Sequence, residues 1–302
     1  MKDRKFIEGE HLHVYQRTAK RHNIFYCDAD YLVYFTIFCI WASRLKIHVL
    51  GLCMMIDHLH MLIQGRTKET ASRFISTVTK IFMHEYNSAI GRCGSLFEKR
   101  FGSAPKEGRK KLVTAIIYIG NNPVEKKLCM KAEQHKWNLI AYVSSANPFS
   151  EKIKLSTASF RLRRSLKMVD WQHKQGIHLN YSLLRILFSD LNHKESSQLR
   201  DYIISKYNVI DKQSLIGIFG SYENMLKAIH STTGSEYDIK ENFSTASDIV
   251  YQDITEFITK NLISDDIRRL TVIDLEEKIK VANRIKAHLG VPSWQICKFL
   301  HL

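Results

Sequence analysis

Proline and glycine are scarce in this sequence, 4 and 13 of 302 residues, which excludes collagen-like repeats and linker-dominated architectures. No CxxC pair occurs. The six cysteines, Cys27, Cys39, Cys53, Cys93, Cys129 and Cys297, lie far apart and mostly among apolar neighbours. That spacing argues against a zinc site or a disulfide framework and for reduced core thiols in a cytoplasmic protein. A long apolar run is missing too. The most apolar stretch, Tyr31 to Ala42, is broken only by Thr36 and falls short of the roughly 20 residues that cross a bilayer. The N-terminal Met1-Lys2-Asp3-Arg4-Lys5 leads into no apolar signal core. Acidic residues are in deficit: 30 Asp and Glu against 45 Lys and Arg leave a net charge of +15.

Apolar residues at 45% suit a globular fold, and the length suits about two domains. The cationic excess favours a polyanionic partner, either nucleic acid or an acidic membrane surface. It is unevenly placed. Residues 1–150 carry 23 Lys and Arg against 12 Asp and Glu, a net of +11, whereas 151–302 carry 22 against 18, a net of +4. Local clusters are Glu98-Lys99-Arg100, Arg109-Lys110-Lys111 and Arg161-Leu162-Arg163-Arg164. Any one of them fits a solvated face. Together with the asymmetry, they favour phosphate contact by the N-terminal half.

Residues 10–18 read as a strand, and Asp28 or Asp30 as the cap of a helix running to about Ser43. Strands follow over 47–52 and 58–63. Ala71, Phe74, Ile75, Val78, Ile81 and Phe82 recur at helical spacing and predict a helix from Glu69 to about Ile90. Residues 95–104 read as extended, and a helix over 108–121 is expected to end before Pro123. This order suits an α+β, ferredoxin-like sandwich: an antiparallel sheet with helices on one or both faces. The small, polar tract Val143–Ser150 is the expected boundary, which gives domains at 1–145 and 146–302. Beyond it the pattern is mainly helical, over about 180–190, 195–206, 222–230, 246–262 and 273–289.

Two residues apart on one strand, His58 and His60 point to the same face while Leu59, Met61 and Ile63 pack on the other. Paired neutral imidazoles on a rigid strand make a metal-binding edge, though two ligands do not define a site. His11 and His13 form a second His-x-His, so the pattern alone does not discriminate. Tyr118 lies among isoleucines, where a tyrosine is ordinarily a core aromatic. Asn122 lies one turn on, on the same helix face. Read functionally, Tyr118 is a phenol nucleophile that attacks a DNA phosphate, and Asn122 is an oxygen ligand. Imidazole plus amide oxygen suits Mg²⁺ or Mn²⁺ better than structural zinc. Tyr86 is a rival nucleophile without the Asn-Pro context.

The segment Met54 to Ile63, with His58-Leu59-His60 at its heart, resembles the HUH motif of single-tyrosine transposases of the IS200-like family. Gly94-Ser95-Leu96-Phe97-Glu98-Lys99-Arg100-Phe101 is similar to the Gly-x-Leu-Trp/Phe-x-x-Arg-Phe segment of the REP-associated tyrosine transposase branch. Tyr118-Ile119-Gly120-Asn121-Asn122-Pro123-Val124 resembles that branch's Tyr-Ile-x-x-Asn-Pro-Val signature, and Leu12 to Arg17 its first-strand His-Val-x-x-Arg pattern. The resemblance implies a ferredoxin-like HUH nuclease domain with His58 and His60 as metal ligands and Tyr118 as catalytic residue. Asn122 takes the place where related transposases put a glutamine ligand. The implied activity is metal-dependent cleavage and rejoining of single-stranded or hairpin DNA through a 5′-phosphotyrosine. The alternative is a domesticated, non-catalytic hairpin binder. His13, Arg17, Lys99, Arg100, Arg109, Lys110 and Lys111 are the expected DNA contacts. One departure stands out: Ile56-Asp57 replaces the family's usual Pro-Asn before His58, which adds a carboxylate beside the metal.

The resemblance fades after about residue 143. Near the end, Ile279, Ala282, Ile285 and Leu289 mark a helix stripe, Gly290 to Ser293 a turn and Trp294 to Leu300 a further helix, a partial helix-turn-helix pattern. The sequence leaves a monomer and a homodimer equally open.

Overall fold

In the computed structural model, residues 5–231, 247–262 and 266–302 are described. The N-terminal half runs β1 (His11–Arg17), α1 (Asp28–Arg44), β2 (His48–Met54), β3 (His58–Gln64), α2 (Lys68–Ile90), β4 (Gly102–Lys106) and α3 (Gly108–Glu125). The four strands form one sheet in the order β2-β3-β1-β4, with antiparallel neighbours throughout. This is the ferredoxin-like arrangement expected, with one helix added after β4. Leu12, Val14, Leu59, Met61 and Ile63 point to one face and are buried in a core with Phe35, Phe38 and Phe74 of α1 and α2. Gln16 on that face bonds Thr79 of α2 at 3.0 Å. The opposite face carries the histidines and packs against α3.

Local signals explain the helix ends. Thr67 caps α2 by accepting the Thr70 backbone N–H, and Gly91 closes it at φ 69°, where a side chain is strained. For α1 the cap is Cys27, not Asp28 or Asp30. Asp30 instead accepts the backbone N–H groups of Tyr26 and Cys27 at 2.8 and 3.0 Å, the reciprocal half of a capping box. α3 does not stop before Pro123 but runs through it to Glu125. The missing proline N–H costs only one bond in the last turn, and Lys126 N–H still reaches the Asn122 carbonyl. The extended segment expected over 95–104 is realised as β4, with only the Thr18–Phe97 bridge ahead of it.

The C-terminal half is helical: α4 (Phe160–Lys174), α5 (Tyr181–Phe188), α6 (His193–Tyr207), α7 (Lys212–Phe219), α8 (Tyr222–Ser231), α9 (Val250–Asn261), α10 (Leu275–Leu289) and α11 (Ser293–Leu300). The start of the helix expected over 246–262 lies outside the described residues. α4 and α7 were not anticipated. In α4 the apolar stripe is only Leu162, Leu166 and Val169 among cations, and α7 is a mere eight residues. One continuous core runs from Leu12 to Ile229, so the expected boundary at 145/146 does not separate two cores. A second cluster joins Tyr26 and Ile56 of the first half to Tyr251, Ile254, Phe299 and Leu300 of the second. Arg268 pins the halves together, 3.3 Å from buried Asp30 and 3.8 Å above the Tyr181 ring.

One further expectation changes. All six cysteines are free, but only Cys39 and Cys53 are buried, and Cys27 and Cys93 are exposed. Among the described residues no helix is long and apolar enough to cross a membrane.

Candidate active site

β3 is interior to the sheet, paired on both sides, which leaves its backbone no freedom to reorient His58 and His60. Antiparallel register sets His60 opposite Tyr15 of β1 and Cys53 of β2, and His58 opposite Arg17. Period two then brings His13 to the same face, diagonal to His60. His13 Nε2 lies 3.0 Å from His60 Nδ1. Over these rings lies α3. Its Tyr118 ring is edge-on to His60 at 5.4 Å between centroids and 5.6 Å from His13. One turn on, Asn122 Oδ1 lies 3.2 Å from His58 Nε2. Gly120, between them, lets α8 approach: a Cβ there would sit 2.8 Å from Ile229.

The group is sequestered. His13, His60 and Asn122 are 0% exposed, Tyr118 1% and His58 7%. Burial, then the neighbouring His58 and His13, push the His60 imidazole well below its ordinary range, so it is neutral, the form a metal ligand requires. Asp57 behaves oppositely. Burial favours its neutral form, but the adjacent His58 and the Lys298 ammonium outweigh that and hold its carboxyl well below the usual range. Its Oδ1 lies 2.5 Å from His58 Nδ1 and its Oδ2 2.7 Å from Lys298 Nζ.

These contacts bear on what the site can hold. With Nδ1 donating to Asp57, a neutral His58 presents its Nε2 lone pair to the Asn122 oxygen, itself an acceptor, whereas the protonated ring donates to it. Two acceptors at 3.2 Å repel unless a proton or a cation lies between them. Asn122 Nδ2 is buried without a hydrogen-bond partner, so its amide is not fixed in place by another acceptor. Among the described residues no three or more His, Cys, Asp or Glu side chains form a metal-binding group. The Asn122 amide oxygen is the side-chain oxygen that faces His58 Nε2, and two imidazoles with an amide oxygen are a donor set that fits a hard divalent ion.

The expected DNA contacts divide. Lys99, Arg100, Arg109, Lys110 and Lys111 are exposed, and the Arg109 guanidinium donates to the Ile218 carbonyl at 2.8 Å. Arg17 is partly exposed and stacks over Tyr15 at 5.3 Å. His13 is not among the surface residues: it is sealed in the histidine cluster. Period-two alternation on β1 carried the signal for this, but only once the register with β3 was known. Tyr86 is buried on the far side of the sheet, 5.3 Å from the Arg268 guanidinium, and burial raises its phenol well above the ordinary range. Lys298 and the buried Asp248 also reach the site, and no local sequence signal marks either of them.

No curated protein matches the chain. Among solved structures, a REP-associated tyrosine transposase bound to a REP hairpin is similar, with a TM-score of 0.42 and 14% identity over 48% of this chain and 84% of that chain. The family model described as "Transposase IS200 like" matches residues 7–122, the span that contains the whole sheet, both histidines of β3, Tyr118 and Asn122. Residues 7–122 are thus similar to the IS200-like transposase family over the span that holds the sheet and the histidine cluster.

Proposed function

We propose that this chain cleaves and rejoins single-stranded or hairpin DNA through a covalent link to Tyr118. The observation that carries the reading is the convergence of His58 Nε2, Asn122 Oδ1, His60 and the Tyr118 ring on one buried sheet face. The Tyr118 oxygen attacks the scissile phosphorus. A Tyr–O–P bond forms, the P–O3′ bond breaks, and the leaving oxygen takes a proton to become a free 3′-OH. One ester replaces another, so the reverse attack by a 3′-OH rejoins the strand without an external energy source. A Mg²⁺ or Mn²⁺ ion held by His58, His60 and Asn122 would polarise the phosphate and offset its charge. Asp57 and His13 keep the two imidazoles in the ligating orientation.

Phosphate binding falls to the exposed cations near β4 and α3. Arg109, Lys110 and Lys111 sit in the first turn of α3, whose first turn holds no acidic residue. Cations at the positive end of a helix dipole cost roughly 0.3–1 kcal/mol each, a cost that a bound phosphate reverses. Tyr118 at 1% exposure is out of reach of a DNA strand in this arrangement, so productive binding has to open the cover over the site.

That same burial favours a second reading, a hairpin binder that does not cleave. Incubation of the full chain with hairpin DNA and Mn²⁺, followed by denaturing electrophoresis, separates the two. A protein–DNA adduct in the parent chain and its loss in Tyr118→Phe, with binding kept, supports cleavage. An adduct that persists in Tyr118→Phe removes the nucleophile assignment. Binding with no adduct or cleavage at any Mn²⁺ or Mg²⁺ concentration establishes the binder.

A further inference from the structure

We infer that Lys298, in the last helix of the chain, is a positioning residue of the active site: through Asp57 it fixes the ring orientation and the Nδ1 proton of His58. The inference deepens the proposed function and rests on it for the meaning of the metal, though not for the contact itself.

Three contacts in series carry it. Lys298 Nζ lies 2.7 Å from Asp57 Oδ2, Asp57 Oδ1 lies 2.5 Å from His58 Nδ1, and His58 Nε2 lies 3.2 Å from Asn122 Oδ1. The carboxylate uses separate oxygens for the two partners, so it is held at both ends and cannot swing. A carboxylate behind a ligating histidine fixes its tautomer and raises its basicity, and losing such a support ordinarily costs ten- to a hundredfold in metal affinity. Lys298 is a cation within ion-pair distance of Asp57, and the side chains of Asp57 and Lys298 are 14% and 17% exposed.

Lys298 is itself held from several sides. Its ammonium lies 5.0 Å from the Tyr251 ring centroid of α9, and its backbone carbonyl accepts the Asn23 N–H at 3.2 Å. A second carboxylate, Asp248, is buried in the same field, and its backbone N–H bonds the Lys126 carbonyl just past the catalytic helix at 3.1 Å. α11 turns Gln295, Ile296, Phe299 and Leu300 inward, against the second core. It is therefore packed beside the site and not displayed as the first helix of a DNA-reading pair. The C-terminal body supplies a working side chain to a domain that its sequence does not resemble.

The test uses the full chain labelled with ¹⁵N-histidine, without metal, and then Mn²⁺ titration. In the parent the His58 Nδ1–H gives a strongly downfield, hydrogen-bonded signal. Lys298→Met moves that signal upfield or broadens it, and weakens Mn²⁺ binding about tenfold or more, while Lys298→Arg restores both. An unchanged signal and unchanged Mn²⁺ affinity in folded Lys298→Met overturns the inference. If that variant does not fold, Asp57→Asn/Lys298→Met leaves no unpaired buried charge and takes its place. It should bind Mn²⁺ as Asp57→Asn alone does. A further full loss in the double variant means that Lys298 does not act through Asp57, which also overturns the proposal. Parent-like Mn²⁺ binding by His58→Ala and His60→Ala would sink the metal site of the proposed function instead, and the metal-free His58 signal would still decide the role of Lys298.

Discussion

One face of the sheet carries two histidine groups, and they are built differently. At one end, His11 of β1 and His48 of β2 meet across Gln64, with His11 Nε2 2.9 Å from His48 Nδ1 and His48 Nε2 2.8 Å from Asp211. At the other end stand His13, His58 and His60. Both groups pair imidazoles and back one with a carboxylate. The first is a line: His48 spends each nitrogen on a different partner, and no lone pairs converge. Asp211 is already committed to capping α7, accepting the Ser214 N–H at 2.9 Å. The His48 and Asp211 side chains are also 36% and 34% exposed. In the second group the supports lie behind the rings, His13 for His60 and Asp57 for His58, which leaves His58 Nε2 to meet the amide oxygen of α3. Histidine pairing is cheap. What distinguishes a candidate metal site is where the unused lone pairs point.

The largest effect expected from this contrast is on cleavage. His58→Ala or His60→Ala should lower hairpin cleavage with Mn²⁺ by at least about a hundredfold, since several kcal/mol of charge stabilisation are lost. His11→Gln should stay within about twofold of the parent. Equal losses at the two ends would erase the distinction.

A middle-sized effect concerns the basic surface. Removing the charges of Lys110 and Lys111, both exposed in the first turn of α3, should weaken DNA binding. It should also flatten the slope of log affinity against log salt by roughly 1–2. Arg163→Ala/Arg164→Ala, exposed on α4 in the half with net charge +4, should leave that slope as it was. Fluorescence anisotropy between low and moderate salt measures both. An equal flattening by the α4 pair would place the phosphate surface on both halves.

The smallest effect is a pH dependence at the other end of the sheet. Burial, then His48, lower the pKa of His11 from 6.5 to about 4. The folded state thus favours neutral His11, and the unfolded chain binds the extra proton between those values. Stability from this group is intact above pH 6.5 and is lost as pH falls toward 4. With the ring only partly buried, about 1 kcal/mol is at stake. Thermal melts across that window should show His11→Gln with a shallower acid slope than the parent; parallel slopes would refute the assignment.

Much of the fold was legible because its signals are local. Alternation placed β1 and β3, and the 71–82 stripe placed α2. Tyr118 and Asn122 were legible through four-residue spacing. The rest depended on what lies opposite. His13 looked like a DNA contact because the sequence shows a residue on a strand but not the strand's partner. Asp30 looked like a cap because a carboxylate near a helix start caps or back-bonds according to one residue of offset. Val143–Ser150 looked like a boundary because its composition is polar, yet Leu199, Ile203 and Met225 fill the same core as the sheet's helices.

The amino-acid order by itself determined the strand and helix order of the first half, the face on which His58 and His60 lie, and the concentration of charge in the first half. Periodicity and composition act over a few residues, and those properties need no more. Tertiary structure alone decided that Tyr118 is sealed from solvent, that Asp57 holds His58 and that Lys298 comes from the far end of the chain to hold Asp57. Those are distances between residues remote in sequence, fixed only when the apolar faces of both halves close on one core.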